Sequence, residues 1–118
     1  MTTPDAAVTQ GDQDPEPSLL HILQPEEELY VHAQAIGAVI AVTDRRLVVT
    51  TNGRVTMDMA FGELRRVQFD IERDHPATFV IVPDSPATPP EVLSIPDTEY
   101  ENAGHVLAVI GRRLSDGI

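Results

Sequence analysis

The sequence contains no cysteine, no lysine and no tryptophan, and aromatic residues make up only 4% of it. Without cysteine the chain cannot form disulfides, thiolate zinc sites or a cysteine nucleophile. The longest apolar runs, such as residues 38–42, are far too short to cross a bilayer. The first five residues lack the basic start and apolar stretch of a secretory signal. These absences predict a soluble cytoplasmic protein with an aliphatic core.

Size and charge limit the function classes further. The 118 residues, 42% of them hydrophobic, suffice for one small globular domain. All eight basic residues are arginine, and the net charge is −11. Acidity of this size repels nucleic acid and anionic lipid. We therefore expect neither nucleic-acid binding nor binding to phosphoinositides or membranes.

The chain divides into a leader and a folded part. Residues 1–17 hold three prolines, four acidic residues and almost nothing bulky and apolar, so they cannot offset their ordering entropy by burial. We expect a disordered acidic leader over 1–17 and one domain over 18–118. Residues 18–23 start with a plausible N-cap, Ser18, and predict a short helix over the sheet.

From Leu29 onward the pattern is that of β structure. Short apolar stretches alternate with turn residues every eight to twelve positions, which is typical of an antiparallel sandwich or barrel. The predicted strands are 29–36, 38–43, 46–50, 54–61, 64–71, 78–82 and 92–95.

One hairpin can be predicted in detail. Asn52-Gly53 separates strands three and four, and a two-residue turn would place the apolar side chains of the two strands on opposite faces. A three-residue loop with Gly53 as a left-handed bulge instead pairs Thr50 with Arg54 and sets Arg46 opposite Asp58. The second register is predicted because it puts the apolar residues on one face.

The chain ends in an amphipathic helix. Thr98 and Glu101 have the spacing of a capping box, and Arg112 and Arg113 lie at the negative end of the helix dipole. The apolar stripe repeats at three- and four-residue steps: Tyr100, Ala103, Leu107, Ile110 and Leu114. This stripe predicts that the helix covers a sheet.

Seven short antiparallel strands followed by one amphipathic helix is the element order of the pleckstrin-homology-like (PH-like) fold. Three stretches resemble bacterial members of that family. Residues 23–29 (LQPEEEL) resemble their leucine, proline, glutamate entry, residues 42–49 (VTDRRLVV) their Thr-Asp-x-Arg-Leu turn, and residues 61–67 (FGELRRV) the stretch that follows. The similarity covers roughly residues 19–115.

The resemblance implies a mainly β, α+β structure: a partly open seven-stranded barrel or sandwich capped by the C-terminal helix. It also implies a binding or assembly module without chemistry of its own, and bacterial relatives of this fold self-associate. The chain departs from the lipid-binding branch at residues 33–38, where that branch carries lysine and arginine and this sequence carries none.

Two groups of residues are candidate binding sites. Arg45, Arg46, Arg65 and Arg66 would bind a carboxylate or phosphate if they gathered at one rim of the barrel. The alternative is that Arg46 pairs with Asp58 while the other three meet nearby acids or solvent.

The second candidate is the proline-rich loop 83–91, which is either a long hairpin connection or a protein-recognition loop. Its candidate contact residues are Asp84, Ser85, Pro86, Thr88, Pro89 and Pro90.

The sequence gives no pattern typical of a metal site or a catalytic site. Glu101 and His105 lie one helical turn apart, but a metal site needs three or four ligands, and exposed helix polarity is the better interpretation. The run Glu26-Glu27-Glu28 is interpreted as solvated acids ahead of a strand rather than an opposed carboxylate pair. There is no Gly-rich phosphate loop and no nucleophile elbow. We expect no metal, no cofactor and no enzymatic activity.

The favoured hypothesis is a non-enzymatic PH-like module that binds protein, either another chain or copies of itself. The alternative is a carrier or sensor of a small anionic or apolar ligand, held inside the open barrel or at the arginine rim.

Overall fold

The computed structural model describes residues 22–116, which form two antiparallel sheets and a C-terminal helix. The first sheet has the order β1-β2-β3-β4 and the second the order β5-β6-β7. The first four strands are β1 Leu29–Ala35, β2 Ala38–Thr43, β3 Arg46–Thr51 and β4 Arg54–Ala60. The remaining elements are β5 Leu64–Asp70, β6 Ala77–Pro83, β7 Glu91–Ile95 and helix α1 Tyr100–Asp116. All seven predicted strands are confirmed, each end to within one residue.

The two sheets meet at one corner and are separate at the other. At the closed corner β1 lies beside β7, and the amide of Ile36 donates to the carbonyl of Ser94 at 2.8 Å. At the open corner β4 and β5 are edge strands, connected by the 3₁₀ turn Phe61–Glu63. The structure is therefore a partly open barrel.

The core lies between the two sheets and is covered by α1. Phe79, Ile81, Ile95 and Ile110 are completely buried there. Helix α1 packs mainly on β1 and β5, and Phe69 of β5 contacts the rings of both Phe79 and Tyr100 (centroid separations 5.9 and 5.8 Å). Three of the five aromatic residues therefore contact one another in series and connect the helix to the second sheet.

The β3–β4 hairpin differs from the predicted loop. Thr51 pairs with Arg54 across a two-residue turn in which Asn52 and Gly53 have φ of 53° and 82°, the left-handed values that such hairpin turns require. The extra residue is a bulge within β4, where the register shifts between Val49 and Thr50. The predicted loop was wrong, because the bulge that restores the facing lies in the strand.

Most apolar side chains of that hairpin nevertheless lie on the predicted face. Leu47 pairs with Met59 and Val49 with Met57, and all four belong to the core. Val55 is 44% exposed, so it does not share that face.

Helix α1 begins later than the predicted capping box. A 3₁₀ turn, Asp97–Glu99, precedes it with Pro96 at its N-cap and no side-chain cap hydrogen bond. The buried stripe is also turned slightly from the prediction: Ala103, Val106 and Ile110 are fully buried, whereas Leu107 is half-buried.

The predicted helix over residues 18–23 lies outside the described residues except at its end. Ile22 is helical and packs, with Leu29, on Val39 and Ala41 of β2. These two β2 residues face away from the main core and are buried all the same, so the first sheet is covered on both faces at β2.

Candidate functional site

A buried ion-pair cluster lies where the segment before β1 crosses the start of β3. The Glu27 side chain has no exposed surface, and its carboxylate accepts from Arg46 Nε and Nη2, both at 2.8 Å. Thr43 Oγ1 donates to the same carboxylate at 2.6 Å, and the Gln24 amide at 3.0 Å. Each of the two carboxylate oxygens of Glu27 therefore accepts two hydrogen bonds. The interpretation of residues 26–28 as a solvated run was wrong for Glu27.

Arg46 is the donor at the centre of this cluster. Besides Glu27 it binds Asp58 through Nη1 at 2.7 Å and the carbonyl of Ile22 through Nη2 at 2.9 Å. In the strand register Asp58 lies opposite Val48, so the Arg46–Asp58 pair is diagonal rather than directly opposed. The Arg46 hydrogen bond lowers the Glu27 pKa to about 2, against the opposing effect of burial, and Glu27 in turn raises the Arg46 pKa.

Two of the three stretches that resemble the PH-like family supply residues to this cluster. Glu27 comes from residues 23–29, and Thr43 and Arg46 come from residues 42–49. Thr43 also holds the β2–β3 turn, because its Oγ1 accepts from the Arg45 and Arg46 amides at 3.0 Å each. The chemistry of these motifs is therefore structural: they clamp the entering chain onto the first sheet.

The four candidate anion-binding arginines differ in their surroundings. Arg45 donates to Gln24 Oε1 at 2.8 Å and lies 3.7 Å from Asp44, while Arg46 is occupied as described. Arg65 and Arg66 are exposed at the start of β5, in the other sheet, and form no ion pair with any described residue. Anion binding by this set stays a prediction, with Arg46 the least available member.

A groove of about 510 Å³ lies along the open edge of β4. The outer edge of β4 forms one wall. The other wall is formed by the 3₁₀ turn after β4 and by the start of the predicted loop, and the Asp84 amide holds these two parts together by donating to the Glu63 carbonyl at 2.8 Å. The lining residues are Thr56, Met57, Asp58, Met59, Gly62, Glu63, Pro83, Asp84, Ser85 and Thr88.

The loop itself is exposed throughout residues 84–90 and has internal order. Ser85 accepts twice, from the Ala87 amide through Oγ and from the Thr88 amide through its carbonyl, both at 3.2 Å. Of the six predicted contact residues, Asp84, Ser85 and Thr88 line the groove, while Pro86, Pro89 and Pro90 do not. The contribution of β4 was missed, since neither the composition nor the hydrophobic pattern of β4 shows which of its edges lacks a partner.

A second groove, of about 480 Å³, lies between β1 and the end of α1. The guanidinium of Arg113 stands 5.3 Å from the centre of the Tyr30 ring and 5.5 Å from that of Phe61. These cation–π contacts secure the helix end to β1 and to the 3₁₀ turn. From the sequence, Arg113 was predicted only to interact with the helix dipole. Its contact with Tyr30 was not predicted, because the two residues are far apart along the chain.

The remaining polar candidates do not converge. Glu101 and His105 are both exposed on α1. Across residues 22–116, no three His, Asp or Glu side chains come together in a metal-binding group. In that same range, no helix combines the length and apolarity needed to cross a membrane.

Comparison with known proteins identifies the fold. A crystal structure of the pleckstrin homology domain from Shewanella amazonensis SB2B superposes with a TM-score of 0.59 at 17% sequence identity, covering 81% of this chain and 91% of that domain. No family model matches the sequence. No curated protein matches it either. The fold is PH-like, as the element order predicted.

Proposed function

We propose that this protein is a non-enzymatic PH-like binding or assembly module that acts through protein–protein contacts, self-association included. The observation that carries the proposal is the groove between the open edge of β4 and residues 83–88. It combines a strand edge that has no partner strand among residues 22–116 with an exposed, internally ordered loop. Both features recur in peptide and protein recognition.

The interior of the barrel argues against the alternative of a ligand carrier. The space between the sheets is filled by side chains such as Phe79, Ile81 and Ile110, each with no exposed surface. The groove at β4 is instead open to solvent and bordered by Asp84, Ser85 and Thr88. The hypothesis that an anionic ligand binds at an arginine rim is less well supported, because Arg46 already donates hydrogen bonds to Glu27, Asp58 and the carbonyl of Ile22.

Site-specific photocrosslinking tests the proposal. Because the chain has no cysteine of its own, a crosslinker can be attached at a single introduced cysteine. A benzophenone is attached to the variant Ser85→Cys at the groove and, as a matched control, to Glu72→Cys beyond the far end of β5. We expect a discrete protein adduct from the Ser85→Cys protein, reduced when Asp84→Lys is added and absent from the Glu72→Cys protein. Purified protein alone that yields an adduct of twice the mass identifies a second copy as the partner. Equal adducts from both positions, or none from Ser85→Cys, would contradict the proposal.

A further inference from the structure

The hydrogen bonds around β4 show which of its backbone groups point away from β3. Arg46 directs its carbonyl towards β2, where Thr43 Oγ1 contacts it at 3.4 Å, and Val49 directs its carbonyl towards β4, where Thr56 Oγ1 contacts it at 3.4 Å. Since backbone groups alternate along an antiparallel strand, Val49 and its neighbour Leu47 exchange hydrogen bonds with β4. Their register partners Met57 and Met59 therefore bond to β3.

Asp58 and Ala60 consequently face outward along the open edge. The Ala60 amide confirms this direction, because it donates to Glu63 Oε1, outside the sheet, at 3.1 Å. No strand pairs with this side of β4 within the described residues. Ala60 is the N-cap of the 3₁₀ turn that follows, so its carbonyl accepts within that turn. The amide and carbonyl of Asp58 point outward from β4 and can pair with an added strand.

The groove beside this edge is lined by both thioether and carboxylate side chains. Met57 and Met59 belong to the core and also line the groove, so flexible thioether side chains meet whatever enters from the inner side. Three acidic residues, Asp58, Glu63 and Asp84, line the groove as well. Arg46 is the only basic residue that pairs with any of the three among the described residues, and it binds Asp58, whose side chain stays 47% exposed.

We propose that an extended basic peptide segment of a partner protein adds to β4 as a fifth strand of the first sheet. Its backbone pairs with the amide and carbonyl of Asp58. Its alternate apolar side chains face Met57 and Met59, and its intervening lysine or arginine side chains face the groove carboxylates. This inference rests on the proposed function and specifies the partner's conformation and charge.

The test uses the acetylated and amidated peptide Lys-Val-Lys-Val-Lys-Val with ¹⁵N-labelled full-length protein, followed by amide chemical shifts. We expect saturable shifts centred on Asp58 and Ala60 and slower hydrogen exchange at the Asp58 amide. The same peptide with alternate amides N-methylated keeps its charge and side chains but loses edge hydrogen bonds. It should bind severalfold more weakly, since each lost bond contributes a net factor of about 2 to 10. A peptide with glutamate in place of lysine should not bind.

Two pairs of variants make the protein side of the test specific. Asp58→Pro removes the outward amide without removing a bond to β3, whereas Asp58→Asn removes only the charge. The peptide should therefore bind Asp58→Pro more weakly than it binds Asp58→Asn. Asp84→Lys should weaken binding severalfold at low salt and little at high salt. Glu72→Lys, with the same change of charge beyond the far end of β5, should leave binding unchanged.

The outcomes separate this inference from the proposed function. Equal binding of the N-methylated or glutamate peptide, or shifts centred elsewhere, overturns strand addition. So does the absence of shifts at the highest soluble peptide concentration. If crosslinking from Ser85→Cys still captures a partner, the groove binds protein in another way and the proposed function stands. If that crosslinking fails as well, both are wrong.

Discussion

Removing the Glu27 carboxylate should destabilise the protein more than any other single change of an acidic residue in the segment before β1. The substitution Glu27→Gln keeps the shape and one acceptor but deletes the charge between Arg46 and Thr43. The Glu27 pKa falls from its ordinary 4.5 to about 2 in the folded protein. At about 1.4 kcal/mol per pH unit this corresponds to about 3 kcal/mol of stability. Loss of one partner of a buried ion pair costs a similar amount, about 3–5 kcal/mol.

The lowered pKa of Glu27 also predicts how the stability difference changes with pH. Because the folded pKa is depressed, the stabilisation is fully present above about pH 4.5 and is lost as the pH falls through 4.5 towards about 2. The difference in unfolding free energy between wild type and Glu27→Gln should therefore be greatest near neutral pH and shrink between pH 5 and pH 3.

Urea unfolding followed by far-ultraviolet circular dichroism at pH 7, 5 and 3.5 measures this difference. Glu26→Gln is the matched control, since Glu26 is the adjacent residue and is exposed. We expect the control to lie within about 0.5 kcal/mol of wild type at every pH, as is usual for surface substitutions. Equal stability of the two variants, or a Glu27→Gln deficit that does not shrink in acid, would refute the assignment of the clamp to this ion pair.

Three further outcomes are expected. Ile110→Ala should lower the unfolding free energy by about 2–5 kcal/mol, because Ile110 is completely buried under α1, whereas His105→Ala on the exposed side should change it little; thermal melts that coincide would mean that the helix is not packed as described. Deletion of residues 1–17 should leave the thermal midpoint nearly unchanged, since their composition offers no core, and a large drop would show that the leader docks. Anionic vesicles should not co-sediment with the protein even at low salt, because the net charge of −11 opposes approach; saturable binding abolished by Arg65→Ala together with Arg66→Ala would instead establish an anion site.

The order and ends of the strands were predictable because they depend on local patterns. Alternating apolar residues, the Asn52-Gly53 turn and the stripe of α1 each act over fewer than about twenty residues. The facing of Leu47 with Met59 followed from the same alternation, since a register that exposes apolar side chains is disfavoured. Where the extra residue of the hairpin lay was not predictable, because a bulge in the loop and a bulge in β4 both put Leu47, Val49, Met57 and Met59 on one face and differ only in where they put Val55.

The residue sequence therefore determined which segments become strands and helix, and which of their faces are apolar. Only the tertiary structure decided that Glu27 is buried while its neighbours are exposed, because its partner Arg46 lies nineteen residues further along the chain. The same holds for the groove: whether β4 has a neighbour on its outer side depends on how the second sheet closes against the first. It closes at β1 and β7 and leaves β4 open, and pairing between distant segments of this kind leaves no signal in the local sequence.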